Sequence, residues 1–159
     1  MRLTSRGRYA VTAMIDLSIN QNEGPVTLKS ISKNQGISLS YLEQLFAKMR
    51  KFDLVEGTRG PGGGYVLARD ADKISVADIV LAVDEPLDIT ECEGMLNCHD
   101  GKQCVAHGLW SELSDRLHEF LSGIYLGELM RNSGVATDSQ NRQVVEMPSM
   151  SSRKHQSQK

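Results

Sequence analysis

Helical periodicity organises the first third of the chain. Tyr9, Ala10, Ala13, Met14 and Leu17 recur three or four positions apart behind Thr4 or Ser5 as a cap, which predicts a helix over residues 4–20. A turn follows at Asn22-Glu23-Gly24-Pro25. Thr27 then opens a short helix with Leu28 and Ile31 facing inward, and Gly36 ends it. Ser38 or Ser40 opens a third helix on the pattern Tyr41, Leu42, Leu45, Phe46, Met49, reaching about Phe52. A short helix, a glycine-containing turn and a longer helix make a helix-turn-helix layout.

The period then changes. The stretches Leu54–Thr58 and Tyr65–Ala68 are β-prone and flank Arg59-Gly60-Pro61-Gly62-Gly63-Gly64, which predicts a hairpin. A helix-turn-helix followed directly by a hairpin is a winged helix. Ser75 caps a fourth helix running to about Val83, with Val76, Ile79, Val80 and Val83 apolar. After an aperiodic stretch a long helix is predicted over roughly 105–124. In it Trp110, Leu113, Leu117, Phe120 and Ile124 are spaced 3, 4, 3 and 4, a heptad seam. Leu109 and Leu121 widen the seam, and Glu112, Asp115, Arg116 and Glu119 lie opposite. Such a seam can be the buried face of an internal helix. Its place after a domain with helices of its own favours a two-fold dimer interface. The expected fold is mainly α with a small β-hairpin: a winged helix-turn-helix DNA-binding domain over 1–83, a binding loop over 84–108, a dimerisation helix and short C-terminal helix over 109–133, and a polar, disordered tail over 134–159.

Charge sharpens this picture. Over the whole chain of 159 residues the formal net charge is only −2. Residues 1–66, however, hold nine Lys/Arg against five Asp/Glu, a net of +4, and the remainder holds nine against fifteen, a net of −6. A basic front half points to a polyanion partner. The basic start is followed by an apolar stretch broken by Thr12, Asp16, Ser18 and Asn20, so neither a signal peptide nor a membrane span is expected. The expected location is the cytoplasm, where thiols stay reduced and available for ligation.

The chain has three cysteines, Cys92, Cys98 and Cys104, and His107 follows the last in the spacing C-x5-C-x5-C-x2-H. The intervening residues are polar and glycine-bearing, so the thiols sit in a loop that begins in acid at Asp84, Glu85, Asp88, Glu91 and Glu93. Three thiols and an imidazole able to converge indicate a metal or cluster site. The C-x2-4-C knuckles of structural zinc are absent, and the wider spacing suits a larger object with ligands further apart. Zinc and free thiols remain alternatives, His99 competes with His107, and His118 on the polar side of the long helix reads as solvated. Cys104 and His107 could also make a nucleophile–base pair, but no third orienting group can be assigned, so an enzyme is not expected.

On the predicted third helix, Ser38, Ser40, Tyr41, Glu43 and Gln44 occupy the turns that reach base edges in the major groove. Gln pairs with adenine and Glu accepts from cytosine. Lys48, Arg50 and Lys51 lie toward the helix end and suit phosphates. Arg59, beside Gly60 at the wing tip, suits a narrow minor groove. A phosphate-binding loop would need Gly-Lys-Ser/Thr and a following helix, and neither is present.

Taken together, Met1-Arg2-Leu3-Thr4-Ser5 with Gly7-Arg8-Tyr9-Ala10, the segment Gly36–Leu45, the wing Arg59–Tyr65 and the Cys92/Cys98/Cys104/His107 set resemble the family of iron–sulfur cluster assembly regulators (IscR-type), bacterial winged-helix transcription factors. The resemblance covers about residues 1–133. It implies a homodimer that binds promoter DNA and holds a [2Fe–2S] cluster through Cys92, Cys98, Cys104 and His107, received from an iron–sulfur assembly scaffold. It implies repression of the assembly operon by the loaded protein and cluster-independent binding to a second class of promoter. Glu43 matches the acidic residue implicated in rejecting that second class. A nitric-oxide-sensing repressor of the same fold and a zinc-stabilised DNA-binding protein are the alternative readings.

Overall fold

The computed structural model describes residues 4–84, 86–90, 92–93 and 95–134. The tail expected over 134–159 lies outside them from residue 135 on, as do Met1, Arg2, Leu3, Glu85 and Glu91. The described residues form α1 (Ser5–Asn20), α2 (Leu28–Gln35), α3 (Leu39–Lys51), β1 (Val55–Thr58), β2 (Gly64–Leu67), α4 (Val76–Ala82), α5 (His107–Ser122) and α6 (Leu126–Gly134). Short 3-10 turns at 21–23 and 71–73 join them.

Each of the first four helices starts on a side-chain cap. The Thr4, Thr27 and Ser38 hydroxyls accept the N–H of Arg6, Ser30 and Tyr41, and Ser75 forms a reciprocal capping box with Asp78. Between Ser38 and Ser40, then, it is Ser38 that caps α3. The buried faces of α1, α2 and α3 meet in one core. Met14, Leu17, Ile31, Leu42, Phe46 and Met49 are inaccessible there, and Ile79 and Leu126 join them. Tyr9, placed by periodicity on the inner face of α1, stands at its edge. Its ring meets Tyr41 edge-on, centroids 5.9 Å apart.

β1 and β2 pair antiparallel from Val55↔Leu67 to Thr58↔Gly64. At the tip the Gly63 N–H donates to the Gly60 carbonyl at 2.9 Å. Pro61 is second in that turn and Gly62, φ 75°, third, the type II arrangement. Val26 bridges the other edge of β2, exchanging both backbone bonds with Tyr65 at 2.9 and 2.7 Å. A Cβ on the adjacent Gly64 would stand 2.5 Å from the Val26 carbonyl oxygen, so only glycine permits this approach. The Tyr65 ring packs edge-on against Phe46, centroids 4.9 Å apart, and fixes the wing to α3.

α4 is apolar on two sides. Ile79, Ala82 and Val83 enter the main core. Val76, Ala77 and Val80 form a second core with Leu87 and Leu121. α5 therefore packs on α4, and the chain then returns. Val76 N–H donates to the Ile124 carbonyl and Leu126 N–H to the Ile74 carbonyl, at 2.9 and 2.8 Å. Leu126, fully buried, places the start of α6 in the same core as the winged helix. No described helix is long and apolar enough to cross a membrane.

Candidate metal centre and DNA-reading face

The thiol loop reaches its shape through backbone conformations uncommon outside glycine. Glu93, Leu96 and Asp100 all have φ between 47° and 60°. These bends fold the loop back on the start of α5, whose first residue is His107. The sequence pattern predicts this helix from about residue 105, overlapping a binding loop drawn to 108; the helix begins two residues later, on His107 itself. Cys92 and His107 are buried, at 4% and 5% exposure, while Cys98 and Cys104 are partly open. Cys92 Sγ lies 3.5 Å and Cys98 Sγ 3.7 Å from His107 Nδ1. The three ligand atoms are all within 4.8 Å of one another. Two ligands placed tetrahedrally around one metal at bond lengths of about 2.0–2.3 Å stand about 3.5 Å apart, so these separations fit donors sharing one centre.

Cys104 organises the group through its backbone. Its N–H donates to Cys98 Sγ at 3.0 Å, and its carbonyl accepts the His107 N–H at 3.1 Å. The Cys98 thiol is pushed above its ordinary value. The Cys104 N–H pulls it down, but partial burial and the neighbouring Cys104 and Cys92 thiols outweigh that pull. A metal taken up here displaces that proton. The donors that converge are two thiols and an imidazole at a helix N-terminus, the chemistry of a thiophilic metal or an iron–sulfur cluster; the Cys104 thiol, also expected as a ligand, stands outside this group and meets it through its backbone. His99 is not part of it: its imidazole is exposed, 3.9 Å from Asp100. His118 is likewise exposed on α5, beside Ser122.

Residues that sequence reasoning passed over support the group. Ser114 Oγ accepts the Ile89 N–H at 2.9 Å and donates to the Trp110 carbonyl at 2.8 Å, with Asp88 Oδ1 3.3 Å away. Asp88 is held below the usual carboxylate range, first by the Thr90 N–H and also by Ser114. His107, Ser114 and Leu121 are buried at seven-residue spacing, one inward face of α5 that anchors the loop. That heptad is present in the sequence, but two of its three members, His107 and Ser114, are polar, so no apolar periodicity marks it.

The seam itself divides. Leu121, expected to widen it, is buried in the second core, and Leu117 and Ile124 pack against that core. Leu109, Trp110 and Phe120 are exposed at 61%, 43% and 65%, and Leu113 is half-buried. The outward apolar stripe is thus narrower than predicted and rotated away from Leu121.

On α3 the buried face is Leu42, Leu45, Phe46 and Met49, which leaves Ser40, Glu43 and Gln44 exposed on the first two turns. A cleft of about 470 Å³ opens beside them, lined by Tyr9, Ile37, Ser38, Ser40, Tyr41 and Gln44. Arg50 is exposed, as are Arg59 and Gly60 at the wing tip. Lys48 is not open in the same way: its ammonium is paired with Asp84.

A winged helix-turn-helix carrying a thiol–imidazole site beside its last core helix defines a class of DNA-binding regulator. The family model described as Rrf2, an iron-dependent transcriptional regulator, matches residues 3–132. The HTH-type transcriptional regulator IscR of Salmonella agona (strain SL483) is 54% identical over 153 residues, covering 96% of this chain and 93% of its own. The structure of T. potens IscR is similar at 34% identity and a TM-score of 0.72, covering 89% of this chain and 94% of that one. That of CymR, the global cysteine regulator of B. subtilis, is similar at 32% identity and a TM-score of 0.71, covering 83% and 98%. The chain belongs to the Rrf2 family and is a transcriptional regulator of the IscR type, not an enzyme.

Proposed function

We propose that this regulator senses iron–sulfur cluster supply. In this reading a homodimer holds a [2Fe–2S] cluster on Cys92, Cys98, Cys104 and His107 of each protomer, delivered by an assembly scaffold in the cytoplasm. The loaded form represses the iron–sulfur assembly operon, and the cluster-free form still binds a second class of promoter. The observation that carries the reading is the convergence of Cys92, Cys98 and His107 within 4.8 Å, in a chain whose other half is a winged helix. When bound, the cluster supplies one-electron chemistry and, with one imidazole ligand in place of a thiolate, lability toward oxidants.

The chain's own residues do the rest. His107 offers Nδ1 to the site, and the Cys104 N–H stabilises charge on Cys98 Sγ. Ser38, Ser40, Tyr41 and Gln44 read base edges, Lys48 and Arg50 hold phosphates, and Arg59 with Gly60 enters the minor groove. Glu43 selects between promoter classes, because a carboxylate facing a base it cannot pair with costs about 1–3 kcal/mol. Trp110, Leu113, Leu117, Phe120 and Ile124 join the protomers, with Leu109 and Phe120 the most exposed of the stripe.

The test is the visible spectrum of protein purified without oxygen, with iron and sulfide counted per chain. A brown protein with about two of each, whose operator binding changes on loss of colour, is expected. A colourless protein carrying zinc overturns the sensor. That second reading, a zinc-stabilised regulator, draws on the near-tetrahedral separations at His107. A cluster lost to nitric oxide but indifferent to cluster supply points to the nitric-oxide-sensing alternative. Glu43→Ala is expected to relax the preference between promoter classes; an unchanged preference removes Glu43 from selection.

A further inference from the structure

Lys48 lies on α3 one turn beyond Gln44, on the flank of the exposed face that turns toward α4. Its Nζ is bonded to Asp84 Oδ2, across 36 residues of sequence. Asp84 lies two residues beyond the end of α4, at the root of the thiol loop, in a left-handed conformation with φ 57°. Arg6 of α1 holds the same point, its Nη1 3.5 Å from both the Val83 and Asp84 carbonyls. Lys51, also on α3, adds positive charge nearby. From this root the chain runs only eight residues to Cys92. On the way Leu87 is buried against Val76, Val80 and Leu121, and the Ile89 N–H is held by Ser114, on the face of α5 that carries His107.

An ammonium shared with a carboxylate is a poor phosphate ligand. To meet DNA, Lys48 must leave Asp84, or Asp84 must stay and bring its negative charge toward the polyanion. Either way Asp84 opposes binding, and the opposition depends on where the loop root sits.

We infer that Asp84 is a positioning residue for DNA binding: it withholds Lys48 from a DNA phosphate to a degree set by the packing of the thiol loop, and so links the metal centre to the recognition helix. This deepens the sensing reading and rests on it for the loop's change of state. Asp84 acts through Lys48. The device is specific to this pair, since among the described ion pairs it is the one that joins α3 to the root of the loop.

Asp84→Asn removes the charge while keeping the backbone, because asparagine is well tolerated in the left-handed region. The experiment uses the full-length dimer, as purified with its metal and after chelation. It titrates a duplex carrying the promoter of the assembly operon and a scrambled duplex of equal length, across a series of salt concentrations. Asp84→Asn is expected to bind both duplexes several-fold more tightly at low salt and to steepen the dependence of log affinity on log salt by about 0.9 for each Lys48 released. It is also expected to bring the affinities of loaded and metal-free protein closer together. In a Lys48→Ala background the same substitution is expected to change nothing. An unaltered salt slope in Asp84→Asn, or an effect that persists without Lys48, overturns the inference. If wild-type protein binds equally in both metal states while Asp84→Asn still steepens the slope through Lys48, the sensing reading falls and the hold of Asp84 on Lys48 stands.

Discussion

The winged helix and the segment that follows it are stabilised in opposite ways. In the first, large side chains from α1, α2, α3 and α4 close on one another, and Phe46, Met14 and Leu17 are inaccessible. In the second, the loop buries little beyond Leu87, Cys92 and His107, while Met95, Leu96, Val105, Leu109, Trp110 and Phe120 stay exposed. The first region hides most of its large apolar groups, with Leu126 of α6 the one large side chain it borrows from beyond α5. One that displays them beside thiols and an imidazole offers a surface for something else to cover, in the proposed reading a metal centre and a second copy of the chain. The difference teaches a division of labour: the front half packs mainly on its own side chains, and the half proposed to sense leaves its apolar groups and soft ligands open.

The largest test of that contrast is Phe46→Ala. It removes the ring that joins α3 to the wing and should cost about 3–5 kcal/mol in chemical denaturation, with loss of DNA binding. A cost near zero would mean the front core is not what holds the wing. Next, Phe120→Lys combined with Leu109→Lys should convert a dimer to a monomer in sedimentation while leaving the helical circular dichroism intact. Unfolding instead would show that this stripe belongs to the fold and not to an interface. Arg59→Ala should weaken operator binding by about 1–3 kcal/mol at matched salt; unchanged affinity would take the wing tip off the DNA.

Smaller effects sharpen the contrast further. Cys98→Ala should abolish metal uptake yet shift unfolding of the DNA-binding core by less than about 0.5 kcal/mol, since the residue lies outside that core. A large loss of stability would make the metal centre part of the fold. The smallest effect is expected at Asp84, whose carboxyl the Lys48 hydrogen bond and charge hold below its ordinary 3.8. A depressed native value means the pair's contribution is present near neutrality and is lost as the pH falls below 3.8 through the native value. Wild type and Asp84→Asn should therefore melt apart slightly at neutral pH and together in acid, the gap kept small by solvent.

Local pattern determined much of this protein. The caps Thr4, Thr27, Ser38 and Ser75, the helical spacing behind them and the glycine-proline tip of the wing act within a few residues of themselves. Helix starts and the hairpin were therefore legible without any fold. The clustering of Cys92, Cys98, Cys104 and His107 was equally local, so the ligand candidates could be read directly.

What lay beyond the sequence is whatever depends on a neighbour distant along the chain. Periodicity marked α5 as apolar, but its outward stripe and its inward face differ only by rotation about the helix. It took α4 and Leu87 to draw Leu121 inward and leave Leu109 and Phe120 outside. Lys48 looked like any basic residue near a helix end until the fold set Asp84 against it. His107 and His99 are alike in sequence, and only the folded loop, with its left-handed bends, sets one imidazole among the Cys92 and Cys98 thiols and leaves the other in water. Spacing says which groups are available; burial and direction, which only the packed chain supplies, decide which of them meet.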